Sequence, residues 1–169
     1  TSTLRTSLIP GQLEAIEKNL RYFDSFSIFE SAQCFEQGEY HPSNEVETLP
    51  VHKNYITGTI TGKDAKTLFF QVKGVIENLP GYCHCKTVSF AQKEQPAWAD
   101  SKVWLNVICD KKVAGSIGLV SVSAMNEAGI KRANVAAFEL DFDMLPALPS
   151  RDNVFKHLPT YPLVQQDLS

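Results

Sequence analysis

Three residues, Asp110-Lys111-Lys112, form a turn between two apolar β-type runs, Val103 to Cys109 and Val113 to Val120. A connection this short joins only antiparallel neighbours, because a parallel crossover needs a dozen residues or more. The pair is therefore a hairpin, and a purely parallel sheet is excluded. Tyr55 to Thr61 alternates Tyr55, Thr57, Thr59 and Thr61 against Ile56, Gly58 and Ile60, which is the period of a strand. Val135 to Leu140 opens a second alternating run, whose Phe-Glu-Leu-Asp-Phe-Asp reaches Asp143. Phe26 to Phe35, ending at Gly38, and Cys83 to Ala91 are further strand candidates.

Helical periods interrupt these strands. Thr3 to Tyr22 reads as an extended lead-in and a helix, with Pro10 in the first turn. Leu13, Ile16 and Leu20 lie on its inner face, and Glu14, Glu17 and Lys18 point away. Asp64 is an N-cap for a helix from Ala65 to about Asn78, whose buried stripe is Leu68, Val72, Val75, Ile76 and Leu79. Pro80-Gly81 is expected to stop it. Ser121 to Ala128 is a short helix closing at Gly129, which suits a left-handed cap. Glu39 to His52 is polar, carries two prolines and predicts a loop. Pro146 to Pro159 reads as a linker, and Pro162 to Ser169 as the start of a further element. The order is α+β, with helices expected on one face of an antiparallel sheet.

At 169 residues the chain is one domain or a compact two-lobed module. The net charge of -3 argues against direct grip on nucleic acid, since neutralising several phosphates needs surplus Lys and Arg. Cys34, Cys83, Cys85 and Cys109 are scattered, and no signal peptide precedes them, which predicts a reduced, cytoplasmic setting. No apolar run approaches the roughly 20 residues of a membrane helix, so no membrane partner is expected. The chain begins at Thr1 without an initiating Met, and a fragment of a longer polypeptide is expected.

Several residues invite a chemical reading. Cys83-His84-Cys85 suggests zinc, but structural sites space paired ligands by two to four residues and need a second pair. On a strand, Cys83 and Cys85 point to one face and His84 to the other, so free cysteines are the expectation. Glu139, Asp141 and Asp143 alternate onto one face, as hard-cation ligands can. The plainer reading is a solvated face opposite Phe138, Leu140 and Phe142. His41, His52 and His157 fall in predicted loops, with no nucleophile elbow nearby. Thr57 to Lys63 evokes a phosphate loop, but Gly58 and Gly62 are too close together and Asp64 follows Lys63. Trp98 and Trp104 are expected to pack against the core, with a subunit contact as the alternative.

Three stretches carry a family resemblance. L-R-T-S-L-I-P-G-Q-L-E-A-I-E-K-N (Leu4 to Asn19), followed by I-F-E-S-A-Q-C-F (Ile28 to Phe35), is similar to L-R-T-S-L-L-P-G-L-L-E-x-x-x-x-N and L-F-E-I-G-R-V-F. These are patterns of the β subunit of bacterial-type phenylalanyl-tRNA synthetase. L-F-F-Q-V-K-G-V-I-E-N-L (Leu68 to Leu79) resembles its F-F-D-L-K-G-x-x-E-x-L. A-F-E-L-D-F-D-M-L, then Y-P-L-V-Q-Q-D-L-S, resemble F-E-L-D-L-D-x-L and F-P-A-V-x-R-D-L-S. Their order and spacing match across the whole chain.

The resemblance implies a class II aminoacyl-tRNA synthetase-like antiparallel sheet flanked by helices. Residues 1–159 would be the catalytic-like module, and 160–169 the start of a linker to the next domain. It implies a non-catalytic scaffold in an α2β2 ligase that charges tRNA(Phe) with phenylalanine, using ATP and Mg. The α subunit does the chemistry, and this module has no catalytic, cofactor or metal residues of its own. The tRNA would be contacted by the complex and not gripped by this fragment; self-association of the isolated fragment, through the face left by its partner, is a further expectation. Adenylation needs cations on the ATP phosphates, yet Gln33 stands where the family pattern has Arg. No Arg lies between Tyr22 and Arg132, and the Phe138–Asp143 run is acidic without glycine.

There are departures. Gln95-Pro96-Ala97-Trp98 replaces the family's H-P-G-R, and Gly118-Leu119-Val120-Ser121-Val122 its G-E-L-H-P. Gln71 replaces an Asp and Gln166 an Arg. They leave open a divergent paralogue that binds a small ligand or regulates. A third reading is an independent metal enzyme built on Glu139, Asp141 and Asp143.

Overall fold

The computed structural model describes residues 4–43 and 47–145. Its elements run α1 (Ile9–Asn19), β1 (Phe26–Ser43), β2 (Glu47–Gly62), α2 (Ala65–Cys83), β3 (Ser89–Ala91), β4 (Ala99–Cys109), β5 (Lys112–Val120), α3 (Val122–Glu127) and β6 (Asn134–Asp141). A short 3-10 turn, Phe142–Met144, follows. The strands form one antiparallel sheet in the order β1-β2-β6-β5-β4-β3. The α+β class is as expected. The expected linker from Pro146 and the boundary at 159–160 lie outside the described residues.

Strand β6 occupies the middle of the sheet and sets its two faces. Val135 and Ala137 point to a core shared with Ile9, Leu13 and Ile16 of α1, Val120, Met125 of α3 and Ile130. Ala136 and Leu140 point the other way, to Leu68, Val72 and Ile76 of α2, with Val107 and Ile117. Helices therefore cover both faces, which corrects the expectation of one. The alternation of β6 misleads because its acidic side is not a water-facing side. Each fully buried Ile or Leu in these layers stabilises the fold by roughly 1.5–3 kcal/mol.

The hairpin at Asp110 is present, with positive φ at Asp110 (48°) and Lys111 (66°). This is the mirror-image turn whose twist matches the flanking strands. Gly129 (φ 82°) closes α3, and Ser121 Oγ caps it by accepting from Ala124 N. Asp64 caps α2 by accepting from Lys66 N, as its sequence predicts.

Three boundaries differ from the sequence expectation. First, 39–52 is no loop: β1 runs on through Gly38 to Ser43, and β2 begins at Glu47. Tyr40 pairs with Pro50 and Pro42 with Thr48, after a register shift past Phe35. The prolines are tolerated because β1 is the sheet edge, and β6 borders β2 only from Tyr55 to Gly62, so Pro50 needs no second ladder partner. Second, α2 contains Pro80 and ends at Cys83 with left-handed His84 (φ 52°). A proline removes one donor and crowds the preceding turn, but the residues after it are free to stay helical. Third, the strand expected from Cys83 shrinks to Ser89–Ala91.

Backbones approach closely at Gly115, where an added Cβ would lie 2.2 Å from the Glu139 carbonyl oxygen and 2.7 Å from Leu140 Cα. Gly115→Ala should therefore force β5 away from β6 and destabilise the chain by about 3 kcal/mol in urea unfolding. Gly11→Ala, in open space on α1, should instead be neutral or stabilising by up to ~1 kcal/mol. Equal effects of the two substitutions would contradict this packing.

Candidate functional site

The sheet face beneath α1 carries a row of polar side chains running across the strands. Register aligns Asn106 (β4) with Ser116 (β5), Ser116 with Glu139 (β6), Glu139 with Thr57 (β2) and Thr57 with Glu30 (β1). Asn106 is buried and fully used. Its Oδ1 accepts from Lys93 N and Glu94 N at 2.9 Å each, and its Nδ2 donates to Glu94 O and Ser116 Oγ at 3.0 Å. It thereby fixes the 93–94 segment over the sheet.

Glu139 is the centre of the row. Its Oε1 accepts from Ser7 Oγ and from Leu8 N, both at 2.8 Å, just ahead of α1, and lies 3.5 Å from Thr57 Oγ1. Leu8 supplies no side-chain cap to this helix. Ser7 Oγ in turn accepts from Ile9 N at 3.2 Å. A carboxylate from the sheet thus fills the position where a helix N-terminus favours an anion. Further along α1, Gln12 is buried and its Oε1 accepts from Thr59 Oγ1 at 3.3 Å. Thr57, Thr59 and Thr61 are all almost wholly enclosed. Thr61 Oγ1 is the sole buried side-chain polar atom without a partner among the described residues. The face is polar but packed by the chain's own helix.

Arg5 anchors the lead-in to the edge strand. Its Nη1 lies 2.8 Å from Glu30 Oε1, its Nε donates to the Gln33 carbonyl at 3.2 Å, and its own carbonyl accepts from Phe35 N at 2.9 Å. A cation therefore stands beside Gln33, although β1 itself carries none. Sequence reading missed this because the contact spans more than 25 positions.

The three acids do not share one solvated face, contrary to expectation. Glu139 serves α1. Asp141 is buried, lies 3.8 Å from Lys53 Nζ and accepts from Asp143 N at 3.0 Å. Asp143 leaves the strand for the 3-10 turn and accepts from Asn54 N and Nδ2 at 3.1 Å. Burial raises the Asp141 carboxyl above its ordinary value of 3.8, partly offset by Lys53. The Asn54 donors lower that of Asp143.

Cys83-His84-Cys85 is not a strand, which corrects that reading. Cys83 is exposed at the end of α2, His84 is the left-handed cap, and Cys85 is buried. Burial raises the thiols of Cys34, Cys85 and Cys109, so they stay protonated and weakly nucleophilic near neutrality. His52 pairs with Phe35 within the hairpin rather than in a loop, and His41 likewise belongs to β1. His157 lies outside the described residues. Thr57–Gly62 is strand, not a phosphate cradle. Trp98 packs against the core under α1, and its carbonyl accepts from Ser121 N at 2.9 Å. Trp104 is half-buried beside Gly118.

Pyrrolysyl-tRNA synthetase from Desulfitobacterium hafniense superposes with a TM-score of 0.61 over 80% of this chain and 46% of its own, at 13% identity, which establishes the fold. The particular family is set by sequence. Residues 1–142 match the model of the phenylalanyl tRNA synthetase beta chain CLM domain, and the chain belongs to that family. Phenylalanine--tRNA ligase beta subunits of Bacillus subtilis and Bacillus licheniformis are 31% and 30% identical over 99% of the chain. The chain spans about a fifth of the length of these curated relatives (21%).

Glu139→Ala should leave Ser7 Oγ and Leu8 N without their acceptor and cost about 3 kcal/mol in chemical unfolding, while Glu139→Gln should cost about 1 kcal/mol. Equal losses would show that the acceptor does not matter. Asp141 contributes in the opposite sense to a normal paired carboxylate. With a folded pKa raised above 3.8, it favours folding at low pH, and this is lost as pH rises through the folded value. Asp141→Asn should therefore gain on the wild type as pH is raised from about 3 towards neutrality. Thermal unfolding across that range checks it, and a gap that shrinks with pH would contradict it.

Proposed function

We propose that this chain is a non-catalytic structural module of a phenylalanine-tRNA ligase β subunit, supporting assembly with the α subunit that charges tRNA(Phe) with phenylalanine. The observation that carries this reading is the enclosed polar face. In a class II active site that face must admit ATP and an amino acid, and cations must meet the phosphates. Here Thr57, Thr59 and Thr61 are enclosed, Gln12 of α1 bonds Thr59, and Glu139 holds the α1 N-terminus. Arg5, beside Gln33, is neutralised by Glu30. An internal carboxylate where a triphosphate would need positive charge opposes adenylation by this module.

On this reading ATP and Mg belong to the whole complex, assembled as α2β2 in the cytoplasm, and no site for either is assigned to this chain. Residues 1–159 form the module and 160–169 lead to the next domain. Among the described residues no helix is long and apolar enough to cross a membrane. Exposed Tyr22, Phe23, Phe29, Phe70 and Tyr82 supply apolar surface of the kind a subunit contact uses.

Co-expression of the β polypeptide containing this chain with its α subunit, followed by size exclusion and aminoacylation assays, tests the proposal. The expected result is co-migration, with charging that depends on α and no pyrophosphate exchange by the isolated chain. Exchange activity in the isolated chain, or failure to co-migrate, would overturn it.

A further inference from the structure

The positive charge of this acidic chain is gathered unevenly. Three turns meet at one end of the sheet: the exit of α1 with Arg21 and Asp24, the β2–α2 turn with Lys63, and the α3–β6 turn with Lys131 and Arg132. Together with Glu17 they line a cleft of about 360 Å³. Four cations face two carboxylates there, an excess of two positive charges in a chain whose net charge is -3.

The neutralisation is incomplete. Glu17 Oε1 pairs with Arg21 Nη2 at 3.2 Å. Lys63, Lys131 and Arg132 form no salt bridge with any described residue. The turns that carry them are braced, since Asn134 Nδ2 donates to the Lys63 carbonyl at 2.7 Å. Gly129, in the left-handed region, turns the chain so that Lys131 and Arg132 come back beside α1. Unpaired like charges held in one cleft repel one another, and a polyvalent anion relieves that repulsion. Lysine and arginine together suit phosphate, through point charge and a forked donor pair respectively. We infer that this cleft binds a phosphate group. It does not overlap the polar face under α1, and it stands whether or not the subunit assignment does.

The phosphate has two possible sources, a small phosphate compound or the backbone of an RNA strand. Inorganic pyrophosphate and a short single-stranded RNA are the probes, titrated separately and in competition into the 169-residue chain at low ionic strength. Lys131→Glu/Arg132→Glu should weaken pyrophosphate binding by about tenfold or more, because two charge-assisted contacts are reversed. Lys102→Glu/Lys112→Glu, also exposed but outside the cleft, should change it by less than about twofold, since exposed charges beyond a Debye length are screened. Thermal melts confirm that both variants fold. RNA that displaces pyrophosphate identifies a strand backbone as the source. Pyrophosphate binding that RNA does not displace identifies a small phosphate. Absence of saturable binding by either probe, or equal losses in the two double variants, overturns the inference.

Discussion

Everything on the α1 side of the sheet depends on one carboxylate. Glu139 sits in the central strand, where enclosing a charged group is costly unless it is hydrogen-bonded. Its Oε1 finds donors in Ser7 Oγ and Leu8 N, which offset part of that cost. The same two bonds fix where α1 begins, and so decide that Leu13 and Ile16 land on Val135 and Ala137. Arg5 and Glu30 then tie the lead-in to the sheet edge. Local helix preference alone does not set this placement, because Leu8 supplies no cap of its own.

On the other face the constraint is size. Gly58 leaves room for the Phe138 ring, since a Cβ there would lie 2.4 Å from it. Ala136 is small enough for α2 to approach β6 closely, and Val72 and Ile76 close that layer. The sheet is thus built asymmetrically: below α1 a hydrogen-bonded polar row runs beside an apolar cluster, whereas below α2 the packing is apolar and sterically fitted.

Much of this architecture is legible in the chain. The Asp110 hairpin, the Asp64 and Ser121 caps and the turn at Gly129 rest on local chemistry, and local chemistry is what a sequence displays. The family patterns from Leu4 to Asn19 and from Leu68 to Leu79 carry the assignment that composition cannot. Non-local facts were harder to read. The run Phe138–Asp143 looks half-exposed because nothing near it in sequence announces that Ser7 and Leu8 will serve its glutamate. Pro42 and Pro50 look like loop residues because their tolerance depends on which strands lack neighbours. Pro80 looks like a stop because the sequence does not reveal that its ring packs inward, within a helix that continues. Arg5 beside Gln33 was invisible for the same reason.

The reach of the β1–β2 hairpin beyond β6 has a mechanical consequence. Between Tyr55 and Gly62, strand β2 pairs with strands on both sides; Asn54 and Lys53 still reach Asp143 and Asp141, and from Glu47 to His52 its ladder partner is β1 alone. A load that separates the two strands at the turn would meet their hydrogen bonds one pair after another, as in a zipper. Once the opening reached Tyr55, further separation would also strain the β2–β6 ladder and the helix seated on it. The ladder is therefore single from Glu47 to His52 and reinforced nearer the root, and the change falls where β6 begins to flank it.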